Sequence, residues 1–292
     1  MIDPCKLGAG LPAPWHGKVP PRRTTEDKIM RVASLYRYPV KGLSPEPLAS
    51  AALPTGGYFP GDRLFAIENG PSGFDPAEPV HQPKIKYLML MRNESLARLK
   101  TRHDDASGEL VIAQEGKEEL QISPASPEGR ERLSAFFEGF MPDELRGRPR
   151  LLAAPEGYRF TDSRSGFLSI INLASVADLA ARMGANIDPL RFRGNVMVED
   201  LPAWAENDLV GRELQGPGGL RLSVIKRIER CAATNVDPQT GVRDLQIPKA
   251  LMQSYGHVDC GIYCRVLAGG TLSRGARLEA VAVSEPVSAS IA

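Results

Sequence analysis

The sequence is poor in cysteine: four residues in 292, namely Cys5, Cys231, Cys260 and Cys264. So sparse a set excludes a disulfide-stapled framework, which a chain of this length does not need. Long hydrophobic runs are missing too. The apolar stretches are short and repeatedly broken, which argues against a transmembrane helix. Residues 1–28 lack an apolar core followed by a cleavage-like site, so no signal peptide is read and the expected location is cytoplasmic. Neither sign of charge dominates, with 36 Lys+Arg against 35 Asp+Glu. That balance argues against a generally basic nucleic-acid surface, while leaving room for a local positive cleft. No phosphate-binding loop, no G-x-G-x-x-G fingerprint and no G-x-S-x-G elbow occurs. A nucleotide-fold enzyme or an α/β-hydrolase would have to exist without its own signs.

What the chain does have is punctuation. Twenty-eight glycines and 25 prolines favour frequent turns between short strands. Residues 1–29 read as a loose arm with clustered prolines. Strand candidates follow at 31–40, 63–68, 85–91, 109–113 and 120–123, then a helix over 127–139 entered through Ser126-Pro127. A Gly/Pro-containing linker spans 145–155. Beyond it come a strand at 167–171, a helix at 174–183, and strands at 196–198, 221–228, 260–267 and 276–283. The expected class is mainly β (α+β): an N-terminal β-barrel-like domain over 30–125, a helical linker over 126–149, and a second β-barrel domain over 150–283. A tail over 284–292 closes the chain. No βαβ repeat is present.

Three clusters carry chemistry. Cys231, in RIERCAATNVDPQTG, follows Arg227 and Arg230, and positive charge favours a thiolate able to act as nucleophile or soft metal ligand. The competing reading is a buried structural thiol, since cysteine is often buried and no histidine lies in the segment. His257, Asp259, Cys260 and Cys264 raise the question of zinc, but no C-x2-C knuckle is present. On an extended strand Cys260, Ile262 and Cys264 share one face, as core residues would. The third cluster is scattered: Lys41 and Ser44 in VKGLS, Arg63 in PGDRLF, and Arg191, Arg193 and Asn195 in PLRFRGN. Strand alternation places these last three on one face, where two guanidiniums and an amide could clamp a phosphate. An ordinary solvated face is the alternative.

Taken together, YRYPVKGLSPEPL, GYFPGDRLFAIENG, NLASVADL, LRFRGNVMVEDLPAWAENDLVG, RIERCAATNVDPQTGVRD and GHVDCGIYCRVLAGGTLSRGARL resemble, in order, the blocks of the MOSC family. That is the molybdenum-cofactor sulfurase C-terminal domain, here preceded by its N-terminal β-barrel partner. The resemblance runs from about residue 30 to 282. It implies a cleft between two lobes that holds a molybdenum cofactor (molybdopterin). Cys231 would supply the protein thiolate to the metal. Thr234 and Asn235 would shape the ligand turn, while Arg193, Asn195, Arg191, Lys41 and Arg63 would bind phosphate and pterin. Ser44 is a weaker transfer, because Gly42 follows Lys41 where the family has a serine.

The bacterial relatives of the amidoxime-reducing members are the subgroup most resembled. They imply reduction of N-hydroxylated or N-oxide-type small molecules with electrons from a separate donor protein. No C-x4-C-x2-C run for an iron–sulfur cluster follows the last block, so no such cluster is expected in this chain. HQPKIKYLMLMRNESL departs from the corresponding segment of the amidoxime-reducing members. Two other readings stay open: a carrier that holds sulfur or cofactor on Cys231, and a non-catalytic pterin-phosphate-binding domain. Pyridoxal phosphate attaches to the family only by broad association, and no lysine motif here supports it. Oligomeric state is not legible.

Overall fold

The computed structural model describes residues 28–164 and 167–281. The expected arm lies almost wholly outside them, as do the tail and Cys5. In chain order the strands are β1 (Ile29–Arg37), β2 (Glu46–Leu48), β3 (Ser50–Leu53), β4 (Phe65–Asn69), β5 (Leu99–His103), β6 (Leu110–Gln114) and β7 (Leu120–Ile122). Helix α1 (Pro127–Phe140) precedes β8 (Pro149–Ala153) and β9 (Leu168–Asn172). Then come α2 (Leu173–Met183), β10 (Val196–Glu199), β11 (Glu213–Gln215), β12 (Arg221–Glu229), α3 (Ile247–Tyr255), β13 (Asp259–Ala268), β14 (Gly270–Ser273) and β15 (Arg277–Val281).

The main sheet runs β10-β9-β13-β12-β11-β15-β1, and β1 pairs again with β10, closing a seven-stranded barrel; β2 is appended to β1. Closure hides the strand edges that an open sheet would present. Inward residues such as Val32, Ile170, Val198, Leu222, Ile262 and Leu278 are fully buried and form one core. The outer face between α2 and α3 has its own cluster, including Ile171, Val176, Phe192 and Leu251. A smaller lobe combines the β4–β8 pair, the β5-β6-β7 sheet and α1 around Leu88, Leu99, Ile112 and Phe137. The fold is mainly β with three short α-helices among the described residues, as expected.

β1 belongs to the large barrel through its pairing with β10 and β15. From β1 the chain dips into the small-lobe core at Val40 and Leu43, returns to the barrel through β2 and β3, and enters the small lobe at β4. Arg37 pins that first passage: its guanidinium donates to Glu46 and Asp105 carboxylates and to the His103 carbonyl of the small lobe.

Several local expectations are corrected. The stretch 85–91 is no strand: Lys84–Lys86 form a 3₁₀ turn behind Pro83, and Tyr87–Met89 are buried with only a single bridge to Glu68. The expected linker holds β8, a full partner of β4, with Pro149 at its first position where a missing N–H costs little. Ile225, which broke the alternation of RLSVIKRI, sits at a register shift in β12. Unbroken alternation from Leu222 and Val224 would bury Lys226; the shift leaves it exposed, and inward burial resumes at Ile228, beside a further shift between Arg227 and Glu229.

Cys260, Ile262 and Cys264 do not share a face. Gly261 has φ +87° at another irregularity, so Cys260 joins the helix-covered cluster while Ile262 and Cys264 enter the barrel. Burial pushes the Cys260 thiol up to about 12, and the Cys264 thiol also rises. A Cβ at Gly261 would stand 2.5 Å from the Ile170 carbonyl oxygen and 2.6 Å from Ile171 Cδ1. Gly261→Ala is therefore expected to destabilise the barrel by about 2–4 kcal/mol, read as a lowered urea midpoint at unchanged slope.

Candidate functional site

The ligand turn is built by its backbone. Cys231 is extended (φ −110°, ψ 175°) and precedes the 3₁₀ turn Ala232–Asn235. Its carbonyl accepts from the Thr234 N–H at 3.1 Å and from Thr234 Oγ1 at 2.9 Å, which leaves the half-buried thiol projecting from a fixed corner. Asn235 points the other way: its Oδ1 accepts from the Ile247 N–H at the start of α3.

Two arginines brace this turn from opposite sides. Arg191 Nη1 donates to the Asn235 carbonyl, and its guanidinium also meets Asp237 (3.0 Å) and both Asp244 oxygens (2.8 Å). Arg243 donates to the Ala232 carbonyl and to the Leu90 and Met91 carbonyls of the small lobe, locking turn to lobe.

The expected strand face of Arg191, Arg193 and Asn195 is a different structure. Pro189–Phe192 make a 3₁₀ turn with Asp188 accepting from the Leu190 N–H, and Arg193 ends it in the left-handed region at φ 52°. A proline at the first turn position and a capping aspartate favour the turn over a strand. Arg191 is then spent on its two aspartates. Asn195 is a framework residue, accepting from Ser169 N and Oγ and donating to the Tyr36 carbonyl. Ser44 is likewise internal, bonded to Thr101.

Arg63, also left-handed at φ 48°, pairs with both Asp62 oxygens at 2.6 Å and donates to the Arg193 carbonyl. Arg63 and Arg193 both lie over the Tyr38 ring, 4.5 and 4.3 Å from its centroid. The buried Tyr38 hydroxyl between them has no hydrogen-bond partner. Lys41 is buried, donating to the Phe160 carbonyl and the Asp162 carboxylate.

Arg193 has no carboxylate of its own among the described residues; its Nη1 donates to the Leu43 carbonyl at 2.7 Å. Burial, reinforced by Arg63, brings its guanidinium down to about 10. Arg230 is similar: it donates to the Phe192 and Cys260 carbonyls, and burial lowers it too. The sequence shows Arg230 only as a neighbour of the thiol; that no carboxylate pairs with it among the described residues is visible in the fold alone.

These groups converge. A cavity of about 370 Å³ is lined by Cys231, Thr234, Arg63, Arg191, Arg193, Arg230 and Asn195, with Lys84, Lys226 and Arg227 also on its wall. Lys41 opens onto a small adjoining recess that shares Cys231, Arg63 and Arg193. Of the expected site residues, Asn235 and the weaker candidate Ser44 stand off both walls. Lys84 was missed because nothing in HQPKIKY marks it; only the fold brings it there.

The residues fit a phosphate-bearing group held by one thiolate. No cluster of three or more His, Cys, Asp or Glu able to hold a metal occurs among the described residues, so most ligands of a metal at Cys231 would have to come with its own cofactor. Two partly buried guanidiniums without carboxylates supply the anion-binding half.

Asp162 gives the cleft an acid limit. Burial opposes its charge, but Lys41 more than offsets that and holds it well below the usual carboxylate range. Asp237 is lowered as well: burial opposes, while the Thr240 and Gln239 N–H groups and Arg191 prevail. A depressed carboxylate stabilises the fold above its unfolded value, about pH 4, and that contribution is lost as pH falls through the folded value. The urea midpoint is thus expected to hold steady down to about pH 4 and drop below it. Asp162→Asn should lower it at neutral pH by about 1–3 kcal/mol, a modest figure because 57% of the Asp162 side chain faces open water.

Barrel, cleft and thiol turn together define a MOSC-type protein, and the family comparison agrees. The MOSC domain model matches residues 157–279, and the MOSC N-terminal beta barrel domain model matches residues 29–140. The chain belongs to this two-domain family. It is similar to mitochondrial amidoxime-reducing component 1 of Mus musculus, 22% identical across 82% of this chain and 76% of that protein. The Homo sapiens component 1 is 23% identical across 82% and 75%, and component 2 of Macaca fascicularis is 24% identical across 82% and 77%. Among solved structures, the YUAD protein of Bacillus subtilis covers 88% of this chain at a TM-score of 0.42 and 14% identity.

Family membership supports a molybdenum-cofactor-linked oxidoreductase in general terms, and it lends nothing to pyridoxal phosphate. The cytoplasmic expectation is overturned, since these relatives are named as mitochondrial proteins. It had rested on the lack of a recognisable leader, which is no positive sign of location. No described helix is long and apolar enough to cross a membrane.

Proposed function

We propose that this protein is a molybdenum-cofactor oxidoreductase that reduces the N–O bond of N-hydroxylated or N-oxide-type small molecules, with electrons from a separate donor protein. The observation that carries the reading is that the Cys231 thiol and the uncompensated Arg193 and Arg230 line one cavity. Cys231 would ligate molybdenum as the thiolate. Arg193 and Arg230 would hold the phosphate of the pterin, with Arg63 and Lys41 beside them. Arg191 and Arg243 position the turn rather than touch the ligand. When bound, the cofactor supplies two-electron redox chemistry at the metal.

For an N-hydroxylated substrate, two electrons and two protons break the N–O bond: one proton lets the hydroxyl leave as water and the nitrogen takes up the other. The substrate class draws on the names of the amidoxime-reducing relatives, matched over most of both chains.

The test is metal and pterin analysis of protein expressed in a cofactor-competent host, followed by turnover of an arylamidoxime with a chemical reductant. Bound molybdenum with amidine formation is expected. Folded protein with neither metal nor pterin would sink the assignment. Cyanolysable sulfur on Cys231 without turnover would instead favour a sulfur carrier.

A further inference from the structure

The cavity carries more positive charge than a cofactor phosphate needs, and it carries it in two tiers. The deep tier is Arg193 and Arg230, bonded to carbonyls and shifted down by burial. A phosphate dianion would neutralise these two. Arg63 is already matched by Asp62, and Arg191 by Asp237 and Asp244.

The outer tier is Lys84 and Lys226. Lys84 stands on the Lys84–Lys86 turn of the small lobe, half-buried, and lines both the main cavity and the recess beside Cys231. Lys226 stands on the exposed side of β12, its ammonium 5.8 Å from the Tyr263 ring centroid. Among the described residues neither lysine has a carboxylate within ion-pair reach; Lys84 acts at longer range on Asp162, which is already bonded to Lys41. Glu229 is the acidic residue on the same wall that the internal pairs leave over. Two lysines against one glutamate leave the mouth positive after the deep tier is filled. They belong to different lobes and line the same cavity.

We infer that the outer tier selects the substrate: the compounds this enzyme prefers bear an anionic group, a carboxylate or phosphate, alongside the N–O bond. The negative group sits between Lys84 and Lys226 while the N–O end enters toward Cys231. The inference rests on the reductase reading for the identity of the reacting end, and on the lysines alone for the charge. A fixed positive mouth also raises the encounter rate of anions and does so less at high salt.

The experiment compares a neutral arylamidoxime with its para-carboxylate, by equilibrium dialysis against the molybdenum-loaded protein and by steady-state turnover. The carboxylate is expected to bind about tenfold more tightly, since an exposed pair contributes up to about fivefold and two lysines share the group. That advantage should fade near 0.5 M salt, where the screening length is about 4 Å. In Lys84→Gln/Lys226→Gln the carboxylate-to-neutral affinity ratio should fall toward one, with molybdenum content and circular dichroism showing that the site is still assembled. Equal binding of the two compounds by the unmodified protein would overturn the inference, as would a ratio that survives loss of both lysines or a failure of both compounds to bind. If the carboxylate binds preferentially but neither compound is reduced, the reductase reading fails and the anion tier stands. If both are reduced without preference, the reductase reading stands and the anion tier fails.

Discussion

Changing Cys231 to alanine is expected to strip the protein of molybdenum while leaving its fold in place. The thiol is half-buried and lines the cavity wall. What holds the corner is the Cys231 carbonyl accepting from Thr234, the Arg191 bond to the Asn235 carbonyl and the Arg243 bond to the Ala232 carbonyl. Alanine keeps all of them, so the unfolding free energy should move by less than about 1 kcal/mol. Molybdenum per chain should fall to background, and reductase turnover by about 10³-fold or more, as when a group acting directly at the reacting centre is removed. Serine is the sharper control. Its hydroxyl nearly matches the thiol in shape but is a harder ligand and stays protonated, so it should rescue fold but not metal. Full metal content in the alanine variant would mean that the thiolate is not the ligand.

The legible part of this site was the part written in local chemistry. Cys231 follows Arg227 and Arg230 just past the strand candidate 221–228, and that strand is β12. Lys41 and Arg63, singled out in VKGLS and PGDRLF, line the candidate cavity or its recess. What misled was periodicity carried too far. A two-residue period through PLRFRGN assumes a strand, but Asp188 and Pro189 commit the segment to a turn and so separate the fates of Arg191 and Arg193. The same assumption failed at Gly261, where one left-handed residue turns Cys260 away from Cys264. Pairing was invisible altogether. The Gly/Pro content of 145–155 reads as a linker, and Pro149–Ala153 becomes a strand because β4 offers it a partner. Counter-charges are non-local for the same reason: no window around Arg191 contains Asp237 or Asp244, and no window around Arg230 shows that nothing similar awaits it.

That contrast between arginines leads to the second large effect. Arg193→Met is expected to cost cofactor retention about 10- to 100-fold, the scale of a lost hydrogen bond to a charged group in a sheltered site. A residue whose only task was to brace the fold would behave otherwise, and the energetics point away from that. The Arg193 guanidinium is driven down by burial and by Arg63, so keeping it charged in the unliganded cleft is a strain on the apo protein. Methionine removes that strain and fills similar volume. It gives up the bond to the Leu43 carbonyl and the contact with the Tyr38 ring. These losses and gains are similar in size, so apo stability should stay within about 1 kcal/mol of the unmodified protein. Arg191→Met provides the opposite case: it would leave Asp237 and Asp244 without their shared cation and unfasten the ligand turn, lowering apo stability by about 3–5 kcal/mol, less in proportion as the exposed Asp244 is solvated. Urea midpoints of the two apo proteins, set beside their pterin contents after cofactor-competent expression, separate the roles. If Arg193→Met unfolds the apo protein and Arg191→Met does not, the assignment of anion binding to Arg193 is wrong.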